Sequence, residues 1–209
     1  MTILFDLDGT LIDSTEAILE SFHKTYELFK KPHPTDEEIK LLIGHPLDVM
    51  YASLGVEENL VWDMVSAYKE HYQIISTEKT VLLPFAKEAV ELASRHARLG
   101  IVTTKTGKYS KILMEHFDLM KYFEVLIGRE DVQNPKPHPE PIEKAIEFLN
   151  ISKENCWMIG DTRMDLLSAK EAGIKSIAVL SEYEPLEELK KHTNIIKNNV
   201  YEAVENILK

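Results

Sequence analysis

The sequence predicts an α/β protein built on a parallel sheet, with a block of helices inserted after the first strand. Three observations carry this. Five short runs, residues 3–5, 99–103, 125–127, 156–159 and 176–180, are apolar almost throughout instead of alternating, the pattern of strands covered on both faces. Segments of helical periodicity separate the later runs, as in a doubly wound sheet. Residues 14–79 contain no convincing strand.

The first strand is Ile3-Leu4-Phe5. In the block that follows, Ile18, Phe22, Tyr26 and Phe29 mark one face of a helix, and Asp13 with Glu16 predicts a capping-box-like start with Asp in place of Ser or Thr. Thr35 with Glu38 opens a second helix, which Gly44 ends. Residues 46–54 and 57–75 supply two more, with Gly55 between them. Tyr51, Trp62, Tyr68 and Tyr72 fall mostly at helical spacing and are assigned to the core of this block. It is read as an inserted subdomain, a cap of residues 15–80, with residues 1–14 and 81–209 forming the main core; a long helical crossover within one domain is the alternative. Beyond it, Pro84 is expected at the first helical position of 84–92. Residues 141–149, 164–172 and 200–208 space apolar side chains three or four apart, and Gly173 suits a C-terminal cap.

The chain has 209 residues, 44% hydrophobic and 28% charged, with a net charge of −11. That composition is ordinary for a globular protein and the length suffices for a large core. The acidic balance argues against a nucleic-acid binder, which needs a basic face, and against adhesion to anionic membrane. No apolar stretch approaches the roughly 18 residues of a bilayer span, and the strand-like, acidic start is unlike a signal peptide, so the cytoplasm is the expected compartment. The single cysteine, Cys156, leaves no internal disulfide and no cysteine metal cluster. Its apolar neighbours predict a buried, inert thiol.

The chemistry lies at the strand ends. The first strand runs into Asp6-Leu7-Asp8-Gly9-Thr10, the second into Thr103-Thr104-Lys105, and the fourth into Gly160-Asp161-Thr162-Arg163-Met164-Asp165. Ligands of open α/β sheets bind outside the carboxyl ends of the strands, so separate strands deliver polar groups to one rim. Between the third and fourth strands, Pro135, Pro137 and Pro139 stiffen a loop that carries Lys136. Asp6, Asp8 and Asp161 offer oxygen ligands suited to a hard cation such as Mg²⁺. Lys136 offers a point charge to phosphate, and Thr103 and Thr104 offer hydroxyl and N–H groups. A carboxylate facing a phosphoryl group can act as nucleophile, and a second can protonate the leaving oxygen and then activate water.

Asp6-Leu7-Asp8-Gly9-Thr10-Leu11, Thr103, Lys136 and Gly160-Asp161-x-x-x-Asp165 resemble, in this order, the signature motifs of the haloacid dehalogenase (HAD) superfamily. The resemblance spans essentially the whole chain. It implies a Rossmann-like core with a helical cap inserted after the first strand. It also implies that Asp6 is the nucleophile and Asp8 the general acid and base. The Asp6 carboxylate, the Asp8 carbonyl and Asp161 would hold Mg²⁺, supported by Asp165, and Thr103 and Lys136 would bind the transferring phosphoryl group. Dehalogenating members lack the second aspartate, so Asp8 favours phosphate chemistry. Thr104 departs from the Asn common in phosphoglycolate phosphatases, whereas residues 129–141 are similar both to those enzymes and to bacterial pyrophosphatases.

The run Ile43-Gly44-His45-Pro46-Leu47 resembles a cap loop facing the site, which makes His45 a candidate contact to an anionic substrate; His33 and His138 are read as loop residues. The expectation is an Mg²⁺-dependent phosphatase of a small phosphorylated metabolite, phosphoglycolate foremost, working as a monomer or homodimer. Inorganic pyrophosphatase, a β-phosphoglucomutase-like mutase, and a non-catalytic binding protein on the same scaffold are the alternatives.

Overall fold

The computed structural model describes all 209 residues. In chain order the elements are β1 (Thr2–Phe5), β2 (Ile12–Asp13), α1 (Thr15–Leu28), α2 (Asp36–Lys40), α3 (Leu47–Ser53), α4 (Glu58–Ile75), β3 (Val81–Leu82), α5 (Ala86–Ser94), β4 (Arg98–Val102), α6 (Gly107–His116), β5 (Val125–Ile127), α7 (Glu140–Leu149), β6 (Cys156–Gly160), α8 (Arg163–Ala172), β7 (Lys175–Val179), α9 (Leu186–Leu189), β8 (Ile196–Lys197) and α10 (Val200–Leu208). Six strands form one sheet in the order β5-β4-β1-β6-β7-β8. Every pairing in it is parallel. The chain is an α/β protein of Rossmann-like architecture.

Side-chain alternation along β1 builds a core on each face of the sheet. Ile3 and Phe5 join Ile101, Ile159 and Ile177 under α5, α6 and α10. Leu4 joins Val102, Val125 and Met158 under α7 and α8. Residues facing both ways are therefore apolar, which is why the strands read as continuous apolar runs. Cys156 is buried on the second face, and burial pushes its thiol up to about 11.

The helices α1–α4 have a core of their own, centred on Phe22, Tyr51, Met64, Tyr68 and Tyr72. The chain enters this block through β2 and leaves it through β3, and the two segments pair antiparallel, Ile12 opposite Leu82 and Asp13 opposite Val81. Thr35 and Glu38 form the expected capping box, and Gly173 ends α8 in the left-handed conformation at φ 74°.

Several local expectations are corrected. Asp13 and Glu16 make no capping box: the Asp13 carboxylate accepts from the N–H and hydroxyl of Thr15, while Glu16 pairs with Lys79 at 2.7 Å. Pro84 does not start a helix, because the left-handed Phe85 at φ 65° intervenes and α5 begins at Ala86. Trp62 is not core; it is 64% exposed. Strands β2, β3 and β8 were not anticipated; each has only two residues.

Candidate active site

β1 lies between β4 and β6, where the strand order reverses direction from its middle, and the crevice outside that switch point is where such sheets bind ligands. The Asp6 N–H donates to the Ile159 carbonyl at 2.9 Å, which carries the strand register one residue further and sets Asp6 beside the end of β6. Gly9, at φ 79°, turns the chain there. A Cβ at Gly9 would lie 2.1 Å from Oδ2 of Asp161, so the turn can close on that carboxylate only with glycine. The Thr10 hydroxyl donates to Asp161 Oδ1 at 3.2 Å.

Asp165 reaches the same place from the first turn of α8. Its Oδ2 accepts from the N–H of Thr162 at 3.1 Å and from its hydroxyl at 2.8 Å. Lys136 comes from the loop before α7. Glu140 fixes that loop by accepting from the N–H groups of Gln133 and Asn134 at 2.9 and 2.8 Å. These bonds hold the Glu140 carboxyl at about 2. The Lys136 side chain is only 2% exposed. Its ammonium lies 3.0 Å from Asp6 Oδ1, donates to the Val102 carbonyl at 3.1 Å, and donates to Asp165 Oδ1.

Three buried carboxylates thus cluster where two of them, Asp6 and Asp165, meet one ammonium. Burial, only partly offset by Lys136 and reinforced by Asp165, pushes the Asp6 carboxyl up to about 7. Burial and the charges of Asp165 and Asp6 push Asp161 well above the usual carboxylate range. For Lys136 burial opposes the charge, but Asp165 and Asp6 outweigh it and hold the ammonium above the ordinary lysine range. Oxygens of Asp6, Asp161 and Asp165 lie within 4.8 Å of one another, and Oδ2 of Asp161 is buried without a hydrogen-bond partner. An all-oxygen set with a surplus of negative charge and an unpartnered carboxylate oxygen fits a hard divalent cation such as Mg²⁺.

Asp8 stands apart from this triad. Its Oδ2 lies 3.0 Å from the Lys105 ammonium, and its Oδ1 accepts from the Ser14 hydroxyl. Thr103 is buried, and its hydroxyl accepts from the Lys105 N–H at 3.1 Å. Thr104 turns toward the helical block, donating to the Gly44 carbonyl at 2.9 Å. Asp8, Thr104, Lys105 and His45 all line a cavity of about 270 Å³ between the block and the sheet. His45 touches none of the triad in a hydrogen bond, and its Nδ1 is buried without a partner.

The sequence matches the family model of the haloacid dehalogenase-like hydrolases over residues 3–179. The chain belongs to this family. Pyrophosphatase PpaX of Halalkalibacterium halodurans is 36% identical over 179 residues, covering 85% of this chain and 82% of its own length. Pyrophosphatase PpaX of Bacillus pumilus is 35% identical over 195 residues, covering 91% and 88%. A haloacid dehalogenase-like family hydrolase from Streptococcus pneumoniae superposes with a TM-score of 0.88 at 26% identity, over 98% of this chain and 97% of that one. The protein is an enzyme, a phosphatase of the haloacid dehalogenase-like family. No helix is long and apolar enough to cross a membrane.

Two features of this hydrolase's site were not singled out from sequence. Lys105 stands three residues past β4, in the strand-end run with Thr103 and Thr104, but was given no role there. Its ammonium also lies 4.7 Å from the Tyr72 ring centroid, a contact to the helical block that no local pattern signals. Tyr183, whose hydroxyl is 2.7 Å from that of Thr15, likewise joins the block's core from beyond β7.

Proposed function

We propose that this enzyme hydrolyses a small phosphorylated molecule through a phosphoryl group carried on Asp6. The supporting observation is the placement of Asp6, held between the Lys136 ammonium and Asp161 at the carboxyl end of β1, with Asp8 two residues on and lining the adjoining cavity. Asp6, Asp161 and the Asp8 carbonyl would hold Mg²⁺, with Asp165 in support; when bound, the ion offsets negative charge as the phosphoryl group transfers.

In this reading the Asp6 carboxylate attacks phosphorus and the bond to the leaving oxygen breaks. Asp8 donates a proton to that oxygen, then accepts one from the water that attacks the aspartyl-phosphate, releasing phosphate and restoring Asp6. Lys136 balances the charge around Asp6. Thr103 and Thr104 give hydroxyl and N–H groups to the phosphoryl oxygens, and His45 contacts the rest of the substrate. Residues 15–80 act as a cap over residues 1–14 and 81–209, excluding water. The resemblance of residues 129–141 supports phosphoglycolate among candidate substrates, and the relatives named pyrophosphatase support pyrophosphate. A mutase would return isomerised sugar phosphate and little free phosphate.

The test is phosphate release with Mg²⁺ by the wild type, Asp6→Asn and Asp8→Ala. Asp6→Asn is expected to abolish turnover, and Asp8→Ala to reduce it by about 10²–10⁴-fold. Undiminished turnover by Asp6→Asn removes the nucleophile assignment.

A further inference from the structure

The cavity beside Asp8 has two unlike walls. The helical block gives mainly apolar side chains, Ile18, Met50, Trp62 and Val65 among them, with Asp48 and Lys69 as its charged members. From the other side come Asp8, Thr104, Lys105 and Arg129. Because Asp8 lines it, a leaving group protonated by Asp8 departs into this space. Its volume is about 270 Å³, where a single water needs about 10–15 Å³.

A departing inorganic phosphate suits this space poorly. Its charged oxygens would lose water against the apolar side chains of that wall, of which only the Trp62 indole offers an N–H, and such desolvation is costly. Two of the three cations on the lining, Lys69 being the third, are also engaged. Lys105 faces Asp8 at 3.0 Å, and an Arg129 terminal nitrogen lies 3.9 Å from Asp48. Two polar atoms on the lining are buried and unpartnered, Nε of Arg129 and Nδ1 of His45. An N–H of this kind asks for an acceptor, and Arg129 Nε can only donate.

Resting on the phosphatase reading above, we infer that the substrate is an organic phosphate ester whose leaving group has an apolar body of several carbon atoms and a hydrogen-bond-accepting end, and is not inorganic pyrophosphate. The apolar body lies on the wall formed by Ile18, Met50, Trp62 and Val65, and the accepting end meets Arg129. Phosphoglycolate, with one methylene, is too short to use both. In the reaction the ester P–O bond breaks, the phosphoryl group passes to Asp6, the alkoxide oxygen takes the Asp8 proton, and the free alcohol occupies the cavity before water hydrolyses the acyl phosphate.

The test is kcat/KM with Mg²⁺ for ω-carboxyalkyl phosphates of two to five carbons, phosphoglycolate being the shortest, beside the uncarboxylated alkyl phosphates and pyrophosphate. All the esters leave as alkanols, so length and end group are what vary. The expected result is a rise of about fourfold per methylene, the equivalent of about 0.8 kcal/mol, with the longer esters at least tenfold better than pyrophosphate. Trp62 is 64% exposed, so Trp62→Ala removes part of the apolar wall without opening the core, and it should flatten the length dependence. Arg129→Met should erase the advantage of the carboxylated esters over the plain ones. Pyrophosphate turned over best, or a flat ester series with p-nitrophenyl phosphate active, overturns this inference and leaves the phosphatase reading standing. Inertness toward p-nitrophenyl phosphate as well as every ester overturns both.

Discussion

The Lys136 ammonium sits 3.0 Å from Oδ1 of Asp6, and it is the cation that the buried Asp6 and Asp165 share, with Asp161 in the same cluster of carboxylates. Removing one partner of a buried charge cluster leaves the rest uncompensated, at a cost of about 3–5 kcal/mol. Lys136→Met should lower the stability of the metal-free protein by about that amount in urea unfolding, and saturating Mg²⁺ should return part of it, because an ion that binds only the folded state stabilises it. An unchanged unfolding midpoint would show that the ammonium does not hold the cluster together.

The raised Asp6 carboxyl sets a pH dependence. Its folded value is about 7 against an ordinary 3.8, so between these the folded state binds more protons than the unfolded one. The contribution of Asp6 to the stability of the metal-free protein therefore falls as pH rises from about 4 to 7. Thermal unfolding of wild type and Asp6→Asn in chelator should show this decline in the wild type and a weaker one in the variant. Parallel curves would remove Asp6 as its source.

Glu140 acts in the opposite direction. Backbone N–H groups of Gln133 and Asn134 hold its carboxyl at about 2, below the ordinary 4.5, so it stabilises the Lys136 loop above pH 4.5 and ceases to as pH falls toward 2. Glu140→Ala should have a lower urea midpoint than wild type at pH 6, and the gap should narrow across that window. The variant should also lose turnover several-fold through a looser Lys136. A gap that stays constant with pH would contradict the assignment.

Lys105 and Ser14 grip Asp8 from its two oxygens. If Asp8 is the acid, Lys105→Met should slow alkyl phosphate hydrolysis by about 10- to 100-fold through misplacement. p-Nitrophenyl phosphate, whose leaving group scarcely needs a proton, should be affected far less. Equal losses on both would place Lys105 outside proton transfer.

Much of this arrangement was legible in the sequence because it depends on local order. Asp6 and Asp161 stand where short apolar runs stop and Lys136 stands within a proline-rich loop, and a parallel sheet brings such strand ends to one rim. Thr35 and Glu38 announced a helix start because the capping box is a contact within four residues. What the sequence hid was set by distant partners. β2 and β3 pair across the whole helical block, and each is only two residues long. Trp62 keeps the spacing of its buried neighbours but falls at the edge of the cavity. Lys105 takes its place from Asp8, Ser14 and Tyr72, residues on three separate segments. The left-handed Phe85 displaced the expected role of Pro84, since a proline two residues before a helix stiffens the entry without starting it.

In the proposed site Asp6 and Asp161, just past the ends of β1 and β6, hold one divalent ion between them. The most direct measurement is calorimetric titration of Mg²⁺ into the wild type and Asp161→Asn, with circular dichroism confirming that both are folded. One ion per chain should bind the wild type, and Asp161→Asn should lose that binding while, relieved of a buried charge, it unfolds at a higher temperature in chelator than the wild type does. Equal affinity and stoichiometry in the two proteins would show that Asp161 is not a ligand of the ion.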